Sequence, residues 1–229
     1  MKHYLSAIDI NVKGTANNTI VQQTEILLRP DFTTAQTQNL YHYPVPQESE
    51  VGCGLKAKEP YCLEDTLGLR SRNLLSHPNT ERLWRLNKII EELEALTKVD
   101  WIGIYRVTKN LEREPVLLKE AYYGRFSRAE FPLTAEFAKG SNNSTVGLSK
   151  KAILVQSVEA YEGPYYTCDT AVQSEFCLPI LGPTGALLGI IDAEAFKPEF
   201  FTDEKILEIT KVAYDLGQSE LLDFSVDEQ

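Results

Sequence analysis

The segment "SEFCLPILGPTGALLGIIDAEA" (residues 174–195) carries the clearest structural signal in the sequence. Two apolar runs, at 174–181 and 186–195, flank the tetrapeptide "GPTG". Pro and Gly between apolar runs are typical of a hairpin turn, because they favour the backbone angles that a reversal of the chain requires. The segment therefore predicts two adjacent antiparallel strands of one sheet.

Three acidic side chains stand out within this hairpin. Residues i and i+2 of a strand share a face, so Asp192 and Glu194 project together, and Glu175 shares a face with Cys177. Acids that converge at one end of a sheet favour a cation, such as the ammonium of a free amino acid or a metal, and one of them becomes a proton donor near neutral pH. The alternative is that they are ordinary carboxylates at strand ends, with Glu175 facing solvent on an edge.

Regular patterns on both sides of the hairpin extend the sheet and add helices. Leu and Ile at three- and four-residue spacings predict a helix over 80–97, with Asn79 or Thr80 as its N-cap, and a second helix runs from 202 and ends before Gly217. Further strands are predicted at 100–107, 115–124 and 152–158, and a flexible polar loop at 139–147. The fold class is α+β, a single antiparallel sheet with its N- and C-terminal helices packed together on one face.

Residues 1–75 are expected to form an N-terminal extension, and residues 76–229 the main domain. Alternating apolar and polar residues at 7–14 and 18–28 predict a β-hairpin. The stretch 44–60 is rich in Pro, Gly and charge and is expected to be a loop.

Composition excludes several classes of function. The 229 residues carry a net charge of −10 and contain no basic run, which argues against nucleic acid and anionic membranes as partners. The first fourteen residues lack the apolar core of a signal peptide, and no stretch is long and apolar enough to span a membrane, so a cytoplasmic protein is expected. Four cysteines without a Cys-x-x-Cys motif, and three scattered histidines, favour neither a disulfide framework nor a structural zinc site.

Cys168 and two aromatic residues each allow two interpretations. Cys168 precedes Asp169, whose charge raises the pKa of the thiol, so spacing alone favours a packed small residue unless a cation offsets that charge. Trp101 and Tyr105 lie four residues apart on one strand face. Core packing is the default for both rings, and an aromatic wall around a soft thioether or sulfoxide is the functional alternative.

Taken together, these residues resemble the GAF-domain family of free methionine-(R)-sulfoxide reductases. "DWIGIY" (100–105) is similar to the family's Asn/Asp-Trp-Val-Gly-Phe-Tyr strand. "CDTAVQSEFCLPI" (168–180) is similar to Cys-Asp-Ala-Ala-Ser-Asn-Ser-Glu-Ile-Val-Leu-Pro-Leu, and "GALLGIIDAEA" (185–195) to the strand Gly-Val-Leu-Asp-Ile-Asp. The resemblance covers roughly residues 80–217 and implies a GAF-like fold and a homodimer.

The resemblance also implies roles for these residues. Cys168 would be the nucleophile that attacks the sulfoxide sulfur and becomes a sulfenic acid. The residues implied to hold the substrate, with the acids of the hairpin also helping to protonate the departing oxygen, are Trp101, Tyr105, Asp169, Glu175, Asp192 and Glu194. The partners implied are free methionine sulfoxide and, as reductant, thioredoxin or a small thiol, with no metal or organic cofactor.

Two cysteines of the family have no counterpart where the family keeps them. Arg128 replaces one within "GRFSRAEFP" (124–132), and "SNNSTVGLS" (141–149) contains none. Cys53 or Cys62 would resolve the sulfenic acid if the extension folds over the domain, or an external thiol would do so. The competing interpretation is a GAF domain that has lost catalysis and binds or senses a small molecule, and a further one is an interaction module with a vestigial pocket. Cys177 is expected in the core.

Overall fold

The computed structural model describes residues 1–49, 52–57, 59–163 and 169–222, and within 47–57 it describes the backbone only. The α-helices are α1 (Lys2–Ala7), α2 (Ile20–Glu25), α3 (Thr34–Tyr41), α4 (Leu63–Thr66), α5 (Pro78–Thr97), α6 (Ala135–Ala138), α7 (Asn142–Ser149) and α8 (Asp203–Gln218). A 3₁₀ turn spans Leu74–Ser76. The strands are β1 (His42–Tyr43), β2 (Pro46–Ser49), β3 (Gly52–Ala57), β4 (Tyr61–Cys62), β5 (Trp101–Lys109), β6 (Pro115–Tyr123), β7 (Glu130–Pro132), β8 (Ile153–Val155), β9 (Ser174–Leu181) and β10 (Leu187–Ala195).

Six strands form the main sheet, in the order β7-β6-β5-β10-β9-β8, and every neighbouring pair is antiparallel. β9 and β10 are the hairpin predicted from the segment 174–195. Helices α5 and α8 contact one another as well as the sheet. The predicted α+β class, a single antiparallel sheet with these two helices on one face, is confirmed.

The two faces of the sheet bury different side chains. On the helix face, Phe176 and Leu178 of β9 and Ile191 of β10 join the core that α5 and α8 complete. On the opposite face, Cys177 belongs to a smaller cluster with Trp101 of β5. Because every residue of β9 is buried, both faces of this strand are covered. Its apolar side chains therefore need packing partners, and its polar side chains need hydrogen-bond partners.

The hairpin predicted for residues 7–28 is wrong, because this stretch forms the helices α1 and α2. Ile20 and Thr24 lie one turn apart on α2, where the Thr24 hydroxyl donates to the Ile20 carbonyl. Tyr4, Ile8 and Ile20 pack into the core on the helix face of the sheet. The short apolar alternation in the sequence therefore reflects single helical turns that lie against α5 and α8.

The loop predicted for residues 44–60 is also wrong, since the antiparallel strands β2 and β3 lie within it. Next to it, β1 pairs with β4. Tyr43 and Leu63 from this part of the chain pack with Leu118 of β6 in a second cluster. The extension thus covers part of the sheet, and the division at residue 76 stays a prediction.

The ends of the two long helices differ from the sequence prediction. α5 begins at Pro78, and its N-cap is His77, whose ring nitrogen accepts from the Asn79 N–H. Pro is favoured at the first helical position because its missing N–H has no partner there anyway. Gly217 lies inside α8 instead of following it, and a methyl group at this residue would come within 2.1 Å of the Leu181 carbonyl oxygen.

A buried ion-pair network ties α5 to the sheet. Both terminal nitrogens of Arg82 donate to the Glu120 carboxylate, at 2.6 and 2.7 Å, and Arg106 Nε donates to it at 2.8 Å. Arg82 also donates to the Leu221 carbonyl, which fixes the end of the described chain. Burial alone would raise the pKa of Glu120, but the two guanidinium groups outweigh it and lower the pKa to about 2.

We predict that Gly217→Ala destabilises the fold, although Ala is the better helix former. The added methyl group would overlap the Leu181 carbonyl, and overpacking of this kind costs about 1–3 kcal/mol. Urea unfolding at pH 7 measures the difference. Gly140→Ala is the control, because nothing lies within 4 Å of its added methyl group, and a change of about 0.5 kcal/mol or less is expected there. Equal stability of the two variants would contradict the prediction.

We predict that Glu120→Gln costs about 3 kcal/mol or more at pH 7, because it leaves two buried guanidinium groups without their counter-charge. The folded-state pKa of Glu120 lies below its ordinary value, so the stabilisation is complete above pH 4.5 and is lost as the pH falls from 4.5 towards 2. Urea unfolding over this range should show that the difference in the free energy of unfolding between the wild-type chain and the variant becomes smaller as the pH falls. Asp65→Asn, which breaks a pair with the exposed Arg70, should cost less than about 1 kcal/mol at any pH.

Candidate functional site

Four side chains form a compact patch on the sheet face opposite the long helices. In the register of β9 and β10, Glu175 lies opposite Glu194, and Cys177 lies opposite Asp192. Alternation along each strand turns all four side chains to the same face. The hairpin therefore gathers three carboxyl groups and one thiol within two residues of strand length.

These acids border a small cavity of about 10 Å³, roughly the space of one water molecule. Its lining consists of Trp101, Tyr105, Ser127, Phe131, Asn142, Asn143, Glu175, Asp192 and Glu194. The cavity is far smaller than an amino acid. Any ligand larger than an ion or a water molecule therefore requires the walls to move apart.

The aromatic wall of the cavity comes from β5. Trp101 and Tyr105 project from the same face, with ring centres 6.4 Å apart, and Gly103 lies between them. A methyl group on Gly103 would come within 2.5 Å of the Trp101 ring, so the missing side chain makes room for the rings to lean together. Trp101 Nε1 donates to the Arg125 carbonyl and the Tyr105 hydroxyl to the Arg128 carbonyl, which orients both rings.

Helix α7 covers the acids, and the flexible loop predicted for 139–147 is wrong. The Ser141 side chain caps this helix by accepting from the Ser144 N–H. Its first turn points two amides at the sheet. Asn142 Nδ2 donates to Glu175 Oε1 at 3.1 Å, and Asn143 Nδ2 donates to Asp192 Oδ2 at 2.7 Å. The polar run of the sequence is therefore a buried helix that donates hydrogen bonds to two of the carboxylates.

Burial and mutual repulsion make the patch reluctant to carry its full negative charge. Burial raises the pKa of Asp192 to about 7, although the hydrogen bond from Asn143 lowers it. Burial also raises the pKa of Glu194 well above its usual range, and the charges of Asp192 and Glu175 add to this. The pKa of the Cys177 thiol is raised for the same reasons. The patch therefore takes up protons or a cation near neutral pH.

Asp169 is held by a cation at the rim of the site. Its Oδ2 accepts from Arg125 Nη1 at 2.8 Å, and its Oδ1 accepts from the Ala171 N–H at 2.9 Å. Arg125 also lies over the Phe196 ring, 5.3 Å from its centre. Arg125 is therefore a cation that offsets the charge of Asp169, as a reactive thiol at the neighbouring Cys168 requires.

The structure brings five of the predicted site residues together around the cavity, namely Trp101, Tyr105, Glu175, Asp192 and Glu194. Asp169 does not line it. Cys62 lies in β4 of the extension and does not line it either. Cys168 lies outside the described residues, and Cys53 lies in β3, where only the backbone is described. The roles of all these residues stay predictions.

Several residues of the site were missed by the sequence analysis. Asn142 and Asn143 were assigned to a loop, although a Ser at 141 ahead of the buried Val146 is a signal for a helix start. No local sequence pattern marks Arg125 as a site residue, because its partner Asp169 lies 44 residues further along the chain. Cys177 was placed in the core, and it is indeed fully buried, but on the face of the acids.

Comparisons with known proteins show which solved structures have a similar fold. The sequence matches no protein-family model and no curated protein. The structure is similar to the type II free methionine-R-sulfoxide reductase from Thermoplasma acidophilum, with a TM-score of 0.53 and 21% identity over 62% of this chain and 92% of that chain.

Two further structures show weaker similarity. The free methionine-R-sulfoxide reductase from Neisseria meningitidis, solved in complex with its substrate, has a TM-score of 0.49 and 17% identity over 62% of this chain and 80% of that chain. A GAF domain has a TM-score of 0.49 and 16% identity over 94% of each chain. At these identities the likeness concerns the fold alone, a GAF-like antiparallel sheet with helices. Among the described residues, each helix is too short or too polar to cross a bilayer.

We predict that Arg125→Gln raises the pKa of the Cys168 thiol, because the adjacent Asp169 then loses its counter-charge and an uncompensated negative charge disfavours the thiolate. The rate of iodoacetamide alkylation of the peptide that contains Cys168, followed by mass spectrometry against pH, measures the shift. Lys139→Gln, which breaks an exposed pair with Glu136, is the control and should leave the profile unchanged. Identical profiles for wild type and Arg125→Gln would rule out the compensation.

Proposed function

We propose that this protein reduces the free amino acid methionine (R)-sulfoxide, with Cys168 as the nucleophile. The observation that carries the proposal is the convergence of Glu175, Asp192 and Glu194 beneath the rings of Trp101 and Tyr105 on one sheet face. Acids suit the ammonium group of a free amino acid, and aromatic rings suit a soft sulfur group. A peptide-bound residue lacks that ammonium group, so the acids favour the free form.

The reaction transfers one oxygen atom from the substrate to the protein. The Cys168 thiolate attacks the sulfoxide sulfur and forms a transient sulfur–sulfur bond. The oxygen then moves, as hydroxyl, from the substrate sulfur to the Cys168 sulfur while the sulfur–sulfur bond breaks, which leaves methionine and a sulfenic acid on Cys168. A buried carboxyl group of the patch supplies the proton that the departing oxygen needs. Two thiols of the reductant then release the oxygen as water, restore Cys168 and leave as a disulfide.

An external reductant fits this chain better than a resolving cysteine of the extension. Cys62, the candidate with a described side chain, lies in β4 and does not line the cavity. Burial and the nearby acids Glu64 and Asp65 raise the pKa of its thiol, which makes it a poor nucleophile. Thioredoxin or a small thiol would therefore complete the cycle.

A second function is a GAF domain that binds a small molecule without turnover. The observation that favours it is Arg128, which stands where the resembled family has a cysteine. Its guanidinium group lies 4.9 Å from the centre of the Phe137 ring. In this alternative the acid patch and the aromatic wall still select a small cationic ligand, and Cys168 carries no chemistry.

We predict that the purified chain converts free L-methionine (R)-sulfoxide to methionine in the presence of dithiothreitol, as measured by chromatography of the amino acids. Cys168→Ser should abolish turnover. Glu175→Gln should lower kcat/KM by roughly 10²-fold, because it removes one carboxylate of the acid patch. Cys62→Ser is the matched cysteine control and should retain activity.

The (S) epimer provides the substrate control and should not turn over. If the (R) epimer is not reduced but raises the melting temperature, the binding domain replaces the enzyme as the function. Undiminished turnover by Cys168→Ser would refute the assignment of the nucleophile. Turnover that fails in Cys62→Ser would instead restore the extension as the source of the resolving thiol.

A further inference from the structure

The acid patch contains a set of possible metal-ligand atoms, of which the proposed reaction uses the two carboxylates but not the thiol. One carboxylate oxygen each from Glu175 and Asp192 and the sulfur of Cys177 all lie within 4.8 Å of one another. Each of these three residues is buried. Adjacent strands in fixed register supply them, with Cys177 directly opposite Asp192, so the arrangement is part of the sheet and does not depend on a loop.

A second observation, an unpartnered carboxylate oxygen of Asp192, points to a ligand at this place. Asp192 is only 4% exposed and borders the cavity, yet its Oδ1 has no hydrogen-bond partner among the residues that the structure describes. Within the same described residues, Asp192 has no cation in ion-pair contact, whereas the charge of the buried Lys119 acts on Glu194, although its ammonium group donates to Ser127. The partner found for Asp192 is the neutral amide of Asn143. A buried carboxylate oxygen without a donor is costly, and a proton or a cation would satisfy it.

The size and chemistry of the site favour a metal ion of borderline softness. The cavity of about 10 Å³, which Glu175 and Asp192 line, has room for an ion but not for an amino acid in its present form. Cys177 does not line it, but its sulfur lies within 4.8 Å of a carboxylate oxygen of each of these two acids. One thiolate and two carboxylates are accepted ligands of Zn²⁺, with bonds of about 2.3 Å to sulfur and about 2.0–2.2 Å to oxygen. Three protein ligands leave a fourth position for water. Hard cations such as Mg²⁺ and Ca²⁺ prefer oxygen donors alone, so the sulfur selects against them.

Cys177 distinguishes this chain from the family that it resembles. The family segment has Val where "SEFCLPI" (174–180) has Cys177, although the preceding Glu is shared. A Val at this place would leave two acids and no soft ligand. The sulfur is thus the element that turns an acid patch into a metal-ligand set.

We propose that Glu175, Cys177 and Asp192 form a Zn²⁺ site on the sheet face. When the ion binds, the Cys177 thiol gives its proton to solvent, a zinc–sulfur bond forms, and no electrons are exchanged. The ion would occupy the place of a substrate ammonium group, so metal loading and ligand binding exclude one another. The proposal does not depend on sulfoxide reduction, since the binding domain would carry the same site.

Titration of the full metal-free chain with Co²⁺ tests the site. Co²⁺ accepts the ligand set of Zn²⁺ and gives a thiolate-to-metal absorption band when cysteine is a ligand. We expect one equivalent to bind with that band, and Zn²⁺ to displace it. Cys177→Val should lose the band, whereas the matched control Cys62→Ser should keep it.

A second variant covers the case in which Cys177→Val fails to fold, which circular dichroism would reveal. Asp192→Asn keeps the shape of the side chain and should weaken Zn²⁺ binding by roughly 10-fold or more. Absence of the band in the wild-type chain, its survival in a folded Cys177→Val variant, or unchanged Zn²⁺ affinity in Asp192→Asn would each overturn the proposal. Loss of sulfoxide turnover together with an intact Co²⁺ band would refute the proposed function and leave the metal site standing.

Discussion

The register between β9 and β10 fixes which side chains of the hairpin face the long helices and which face the cavity. It sets Glu175 opposite Glu194 and Cys177 opposite Asp192, while the intervening Phe176 faces the two long helices. A slip of one residue would turn the acids into the helix-side core and expose the apolar side chains to the cavity. The hydrophobic core and the candidate site are therefore two consequences of a single pairing.

This pairing forces the other face of the sheet to be covered by polar groups. A buried face that carries carboxyl groups needs hydrogen-bond donors as well as contact. Helix α7 supplies both, because Asn142 and Asn143 meet the acids while Val146 packs into the same cluster. The aromatic rings of β5 complete the enclosure, and Gly103 gives them room. The fold thus builds the cavity lining mainly from strands and a helix, and Ser127 between β6 and β7 also contributes to it.

Much of this arrangement follows from two-residue periodicity in the sequence. The hairpin, the other strands of the main sheet except β7, and the shared face of Asp192 and Glu194 were predicted, because alternation and a Pro-Gly turn are local signals. Helix α7 was not, since its Asn-rich first turn has low helix propensity and is stabilised by acids that lie 33 and 49 residues further along the chain. The N-terminal helices were missed for a similar reason. Each has six residues, too few for a helix to form without the packing surface of α5 and α8.

The buried acids also determine which ligands compete at this site. Closely spaced carboxyl groups of low exposure cannot all stay ionised without a cation, so protons, an ammonium group and a metal ion all act as alternative counter-charges. Lowering the pH protonates the patch and weakens it towards both cations. Near neutral pH, the relative affinity of the patch for an ammonium group and for a metal ion depends on how each fits the cavity. An ammonium group brings a side chain that must open the aromatic wall, whereas a metal ion enters the existing cavity but must displace the proton of Cys177. If both proposals hold, the same acids serve two kinds of ligand, and the cost of opening the wall relative to the cost of deprotonating the thiol decides between them.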